Sequence, residues 1–124
     1  MSEHGASTLG IAANVAAYES GGPWLEEVLA HLDGSRALLA DLLGQRIPEI
    51  RYRQPEGTYL AWLDCRELGL DDPATFFREQ AGVALTDGAL CGAAGAGFVR
   101  HNLATPRPIL ERSVEQMADA LARR

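Results

Sequence analysis

Residues 95–107 read GAGFVRHNLATPR, a glycine-containing loop followed by alternating apolar and polar side chains. This alternation predicts a strand over 98–104. On a period of two, Phe98, Arg100 and Asn102 share one face of that strand. Thr105 suits the cap position of a helix and Pro106 its first turn. The stretch therefore predicts a strand that leads directly into the last helix.

The flanking segments add helices and shorter strands. Residues 58–63 (TYLAWL) are apolar on both alternating faces, which predicts a strand covered on both sides. Two more short strands are predicted over 50–53 and 83–85. Helical sequence covers 9–18 and the leucine-rich stretch 25–43, and Asp72 can cap a helix that begins at Pro73. The last helix carries an apolar stripe made by Leu110, Val114, Met117 and Leu121. The predicted fold class is α+β.

Composition excludes several classes of function. The chain has 124 residues and a net charge of -6, and all 11 of its basic residues are arginine. Without lysine, no side chain can form a Schiff base with a carbonyl compound, and no phosphate-binding P-loop can form. An acidic chain with scattered arginines is a poor nucleic-acid binder, and no apolar run is long enough to span a membrane. Two cysteines do not make a disulfide framework, so a cytoplasmic protein with reduced thiols is expected.

Arg100 is the candidate functional residue. An arginine among apolar strand residues must be paired, must reach water or must face a cavity. One interpretation is a guanidinium that binds a ligand carboxylate through two parallel hydrogen bonds. The other is an edge-strand arginine that faces solvent. Spacing alone leaves both open and favours the second.

Other motifs have plainer interpretations. The glycines between Gly88 and Gly97 precede a strand, whereas a phosphate loop precedes a helix, so a turning connection is expected. His101 has no metal-ligand partner at suitable spacing and is expected to be structural. Cys65 and Cys91 lack basic neighbours that would lower a thiol pKa, so both are expected to be unreactive.

Three motifs in order resemble a known family. Residues 55–64 (PEGTYLAWLD) resemble the start of the small domain of class I/II aminotransferases, and residues 95–107 resemble the carboxylate-binding strand of that domain. Residues 16–25 (AAYESGGPWL) resemble the branch that contains cystathionine β-lyases and cysteine-S-conjugate β-lyases. The resemblance runs from about residue 7 to residue 121.

The resemblance implies a fold and a division of the chain. Family members are fold-type I enzymes whose small domain has a short, mainly antiparallel sheet packed with helices, preceded by a long interdomain helix. On this basis residues 1–8 form a frayed N-terminus, residues 9–47 form helices that link to a large domain, and residues 48–124 form the small domain. Cys91 and His101 depart from the family pattern, which usually has phenylalanine and leucine there.

The resemblance also implies a chemistry. Family members are homodimeric pyridoxal phosphate enzymes in which the cofactor stabilises the carbanion left when the substrate Cα proton departs. In the lyase branch a thiol then leaves Cβ, giving pyruvate and ammonia. The arginine at the position of Arg100 binds the substrate α-carboxylate, and Asn102 is expected to support that site.

The family's cofactor-binding lysine belongs to the large domain, which this chain lacks. We therefore expect a C-terminal fragment that does not catalyse the reaction or bind pyridoxal phosphate stably by itself. The alternatives are an aminotransferase fragment, an amino-acid-binding or assembly module that pairs with a separate large domain, and a decayed fragment.

Overall fold

The computed structural model describes residues 7–124. Helix α1 (Thr8–Ser20) is followed by helix α2 (Gly22–Arg46) and strands β1 (Arg51–Tyr52) and β2 (Leu60–Asp64). A 3-10 turn (Arg66–Leu68) leads to helix α3 (Pro73–Phe76), which continues as a π-helical turn (Phe77–Ala81). Strand β3 (Thr86–Asp87), two 3-10 turns (Gly88–Cys91 and Ala93–Gly95), strand β4 (Phe98–Asn102) and helix α4 (Arg107–Ala122) complete the chain.

The four strands form an antiparallel sheet in the order β1-β2-β4-β3. This arrangement confirms the predicted α+β class with a short antiparallel sheet. The strand pair β2–β4 is the longest, with Leu60 opposite Asn102 and Asp64 opposite Phe98. Strand β4 is interior because β3 pairs with its other edge.

Contacts divide the chain into two units, 1–31 and 32–124. In the described part of the first unit, α1 has no buried residue, and several large apolar side chains are exposed: Leu9, Ile11, Val15, Tyr18, Trp24, Leu25 and Leu29. Of the segment predicted to fray, residues 1–6 lie outside the described residues, while Ser7 caps α1 and Thr8 is its first residue.

The second unit holds the hydrophobic core. The inner face of the sheet supplies Ala61, Leu63 and Val99, each fully buried. The helices cover this face with Leu39, Leu43, Phe77, Leu110, Val114 and Met117. The contacts group the C-terminal part of α2 with the sheet. The division at 47/48 stays a prediction.

Three local predictions were wrong. Residues 83–85 are not a strand: the N–H of Val83 donates to the carbonyl of Phe77, which closes the π-helical turn, and pairing begins only at Thr86. Strand β2 is covered on one side only, since Trp62 is 38% exposed.

The start of the last helix is the third correction. Helix α4 begins at Arg107, and its cap position is Pro106 rather than Thr105, because Pro106 has an extended ψ of 139°. The carbonyl of Pro106 accepts the N–H groups of Ile109 and Leu110. The apolar stripe turns slightly, so that Ala120 rather than Leu121 is its last buried residue.

Candidate functional site

The sheet has an outward face whose side chains stay partly exposed, opposite the core. Its members are Leu60, Trp62, Thr86, Phe98, Arg100 and Asn102. The predicted sharing of one face by the three β4 residues is confirmed. Trp62 and Thr86 are the cross-strand partners of Arg100, so Arg100 is at the centre of this face.

Arg100 is half-buried and has a neutral partner. Its Nη2 donates to Oγ1 of Thr86 over 3.3 Å. Within residues 7–124 the structure gives Arg100 no carboxylate partner. Because β4 is an interior strand, the interpretation of Arg100 as an edge-strand arginine does not hold. A guanidinium that is held on one side and forms no ion pair can donate hydrogen bonds from its remaining N–H groups to a carboxylate.

Asn102 lies on the same face, but its side chain has a local task. Its Oδ1 accepts the backbone N–H of Ala104 over 2.8 Å. This hydrogen bond shapes the exit of β4 toward α4. The side-chain amide of Asn102 therefore supports the backbone that follows β4, and its oxygen is already engaged by the N–H of Ala104.

An aromatic pair borders Arg100 on the outward face. Trp62 and Phe98 are stacked, with ring centroids 5.5 Å apart and an interplanar angle of 17°. The guanidinium carbon of Arg66 lies 4.8 Å from the centroid of Phe98, and Arg66 also donates to both oxygens of Asp64 over 2.8 and 2.7 Å. The hydrogen bond from Arg66 holds the pKa of Asp64 below its usual value. Sequence reasoning missed this stack, since its only signal is the period of two that places each ring on the outward face.

His101 points to the opposite face and is buried among core residues. Its Nδ1 lies 2.9 Å from the carbonyl oxygen of Asn102, and its Nε2 lies 3.0 Å from Oγ of Ser113. Burial lowers the pKa of His101, which favours the neutral ring. These contacts agree with the expected structural role.

The cysteines are unpaired. Burial, with a smaller effect of Asp64, raises the pKa of Cys65 to about 12, so its thiol stays protonated. Cys91 is exposed in the glycine-containing loop. In the described part of the chain, no group of three or more histidine, cysteine or acidic side chains could hold a metal ion. No helix of residues 7–124 is both long and apolar enough to cross a membrane.

The residues of this chain do not fit pyridoxal phosphate by themselves. A lysine side chain must hold its aldehyde carbon, and all 11 basic residues are arginine. The outward face supplies the Arg100 guanidinium and aromatic surface, neither of which can form a covalent bond to that aldehyde carbon.

The chain is similar to enzymes of one kind. It is 45% identical to a Mycobacterium tuberculosis protein assigned as a cystathionine beta-lyase, covering 98% of this chain and 34% of the relative. It is 29% identical to cystathionine beta-lyase PatB of Bacillus subtilis, covering 95% and 31%. Among solved structures, cystalysin from Treponema denticola, which contains pyridoxal 5'-phosphate, superposes with a TM-score of 0.89 at 32% identity, covering 94% and 30%.

No protein-family model matches the chain. It spans about one third of the length of the curated relatives it matches. The chain matches about one third of the length of these enzymes, which is consistent with their C-terminal small domain. Similarity over nearly the whole chain, in both sequence and fold, relates it to cystathionine β-lyases and other pyridoxal-phosphate-dependent C–S lyases.

Proposed function

We propose that this chain is the substrate-carboxylate-binding part of a pyridoxal-phosphate-dependent C–S β-lyase. The complete enzyme would act on cysteine S-conjugates of the cystathionine type and release a thiol, pyruvate and ammonia. The observation that carries the proposal is Arg100, which Thr86 holds at the centre of the outward face and which forms no ion pair with a carboxylate of residues 7–124. The similarity to C–S lyases supports the reaction class.

In this proposal each residue has a limited task. Arg100 binds the α-carboxylate of the amino-acid substrate through charge-assisted hydrogen bonds, which fixes the orientation of the substrate. Thr86 orients the guanidinium, and Asn102 keeps the strand exit in place. The stacked rings of Trp62 and Phe98 shield one side of the ion pair from water.

The remaining requirements lie outside this chain. The lysine that holds the cofactor belongs to a large domain, and a homodimer is part of the same proposal. A reducing, cytoplasmic compartment is also proposed, because both cysteines carry free thiols. The chain alone is proposed to be inactive.

A chimera tests the role of Arg100. This chain replaces the corresponding part of Bacillus subtilis cystathionine beta-lyase PatB, and pyruvate release from L-cystathionine is measured. We expect activity in the chimera and a loss of about 100-fold in kcat/KM for Arg100→Ala, the effect of about 3 kcal/mol expected for a charged hydrogen-bonding pair. Arg112→Ala, a change of an exposed arginine on α4, is the matched control and should stay within about twofold. An Arg100→Ala chimera as active as the control would overturn the assignment.

A second candidate is an amino-acid-binding or assembly module without catalysis. The observation in its favour is that Arg100 has only a neutral hydrogen-bond partner among the described residues, while the sequence has no lysine. Calorimetric titration of the isolated chain with L-cystathionine separates the two candidates. Binding that is lost in Arg100→Ala, together with an inactive chimera, would favour the module over the lyase fragment.

A further inference from the structure

Arg36 is a buried cation that the proposed function does not use. It lies on α2 and is 4% exposed. Its Nη1 donates to the carboxylate of Asp33, one turn earlier on the same helix. Its Nη2 donates to the backbone carbonyl of Thr58 over 2.5 Å, across 22 residues of sequence. Burying a charge is costly, and these two hydrogen bonds offset part of that cost, whereas Nε is buried with no hydrogen-bond partner among the described residues.

Thr58, the residue that Arg36 holds, has an unusual backbone. Its φ is 64°, and within residues 7–124 it is the only residue other than glycine with a positive φ. The left-handed region is unfavourable for a β-branched residue, because its side chain crowds the following carbonyl. Such a conformation persists only where surrounding contacts impose it. The hydrogen bond from Arg36 is a contact of that kind.

The turn at Thr58 is joined to the end of β4. The N–H of Leu103 donates to the carbonyl of Tyr59, the next residue, over 2.7 Å. Leu60 then begins β2 opposite Asn102. The position of the turn therefore sets the end of the strand that carries Arg100 and Asn102.

We propose that Arg36 is a positioning residue, which clamps Thr58 in its left-handed conformation and thereby fixes the end of the sheet beside Arg100. The link between this clamp and carboxylate binding by Arg100 rests on the proposed function. The effect of Arg36 on the backbone of Thr58 does not depend on it. Arg36 touches no substrate in this proposal and acts through the backbone of Thr58 and Tyr59.

Hydrogen exchange measured by NMR on the full chain tests the clamp. Arg36→Met fills the buried site with an apolar side chain and leaves the carbonyl of Thr58 without its donor. We expect the exchange rate of the Leu103 amide to rise about tenfold in Arg36→Met, because local opening at the end of β4 becomes easier. The Val99 amide, in the middle of β4, is the internal reference, since a change in global unfolding would affect both amides. We also expect the Nε–H signal of Arg100 to shift. Arg46→Met, at the exposed end of the same helix, is the control and should change neither.

A second background keeps the test decisive. Glycine adopts a positive φ without strain, so in Thr58→Gly the effect of Arg36→Met on Leu103 should fall to less than about threefold. Thr58→Ala keeps a Cβ atom at the positive φ, so Thr58→Gly should unfold at a temperature about 4 °C higher than Thr58→Ala. This comparison remains available if Arg36→Met does not fold.

Two outcomes would overturn the clamp: equal effects of Arg36→Met in both backgrounds, or equal unfolding temperatures for Thr58→Gly and Thr58→Ala. Failure of the carboxylate assignment would be seen differently, as an Arg100→Ala chimera of unchanged activity, and would leave the exchange result standing.

Discussion

The side chain of His101 makes the stability of the chain dependent on pH. Burial lowers its pKa below the value of about 6.5 that the unfolded chain has. The unfolded state therefore binds a proton more readily than the folded state, and stability increases with pH in this range. The stability that comes from burying a neutral His101 is fully present above about pH 6.5, and it is lost as pH falls toward the lowered pKa of His101 in the folded state.

We expect chemical denaturation to show falling stability between about pH 7.5 and pH 5. His101→Gln keeps a hydrogen-bonding side chain without a titratable ring, so its stability should change less over the same range. The lowered pKa of Asp64 and of Asp72 acts at more acidic pH, below about 4, and does not interfere. A pH dependence that is the same in both proteins would exclude His101 as its source.

Two glycines of the loop before β4 allow their backbones to touch. A Cβ atom added at Gly95 would overlap the carbonyl oxygen of Gly88, and one added at Gly88 would overlap the carbonyl oxygen of Gly95. The glycines therefore serve a close approach of two backbone segments, which agrees with the predicted turning connection. They do not form a phosphate loop, since the element that follows is β4.

Gly95→Ala should lower the free energy of unfolding by about 3 kcal/mol or more, because the added methyl group would overlap the backbone of Gly88, which has little room to move. Gly44→Ala is the matched control: Gly44 lies in α2 with open space around it. That substitution should stabilise the protein by up to about 1 kcal/mol through helix propensity. Urea denaturation of both variants provides the measurement, and a stable Gly95→Ala variant would contradict the close approach.

Among the secondary-structure elements, the buried face of α4 was predicted from sequence except for its last residue, whereas β3 was placed wrongly. The apolar stripe of α4 repeats at helical spacing, so its sequence alone reveals which face is buried. Strand β3 has two residues, and it exists only because β4 offers an edge at Thr86 and Asp87. Propensity has little influence on so short an element, so the prediction of a strand over 83–85 failed.

Neighbouring residues of α4 provide a test of that buried face. Leu110 is fully buried, whereas Ile109 is 49% exposed. Leu110→Ala should lower the free energy of unfolding by about 2–5 kcal/mol, because it leaves a cavity in the core. Ile109→Ala should change it by less than about 1 kcal/mol. Thermal unfolding of the two variants checks this, and similar losses would mean that the helix is rotated from its described position.

At the scale of the whole molecule, the chain carries the arginine that we propose binds the substrate carboxylate, but it has no lysine that could hold pyridoxal phosphate covalently. Arg100 is present on an interior strand, while the sequence has no lysine. The chain also spans only about a third of its relatives. The two observations agree, since a covalent cofactor requires an amine that this third of the fold does not supply.

Incubation with pyridoxal phosphate followed by dialysis tests this division. We expect no Schiff-base absorption band to remain on the chain, because no lysine side chain is available to form the bond. Cystalysin from Treponema denticola, whose structure contains pyridoxal 5'-phosphate, is treated in the same way as the positive control. A band that survives dialysis of this chain would contradict the expectation.

The sequence by itself determined the α+β class, the alternation that places Arg100 on one face of a strand, the stripe of α4 and the absence of lysine. These are local properties, set by periodicity and by which side chains are present. The tertiary structure decided that β4 is interior, that Thr86 and Trp62 flank Arg100, and that Arg36 reaches Thr58. Such contacts join residues far apart in the chain, so they depend on strand order and register, which no local pattern specifies.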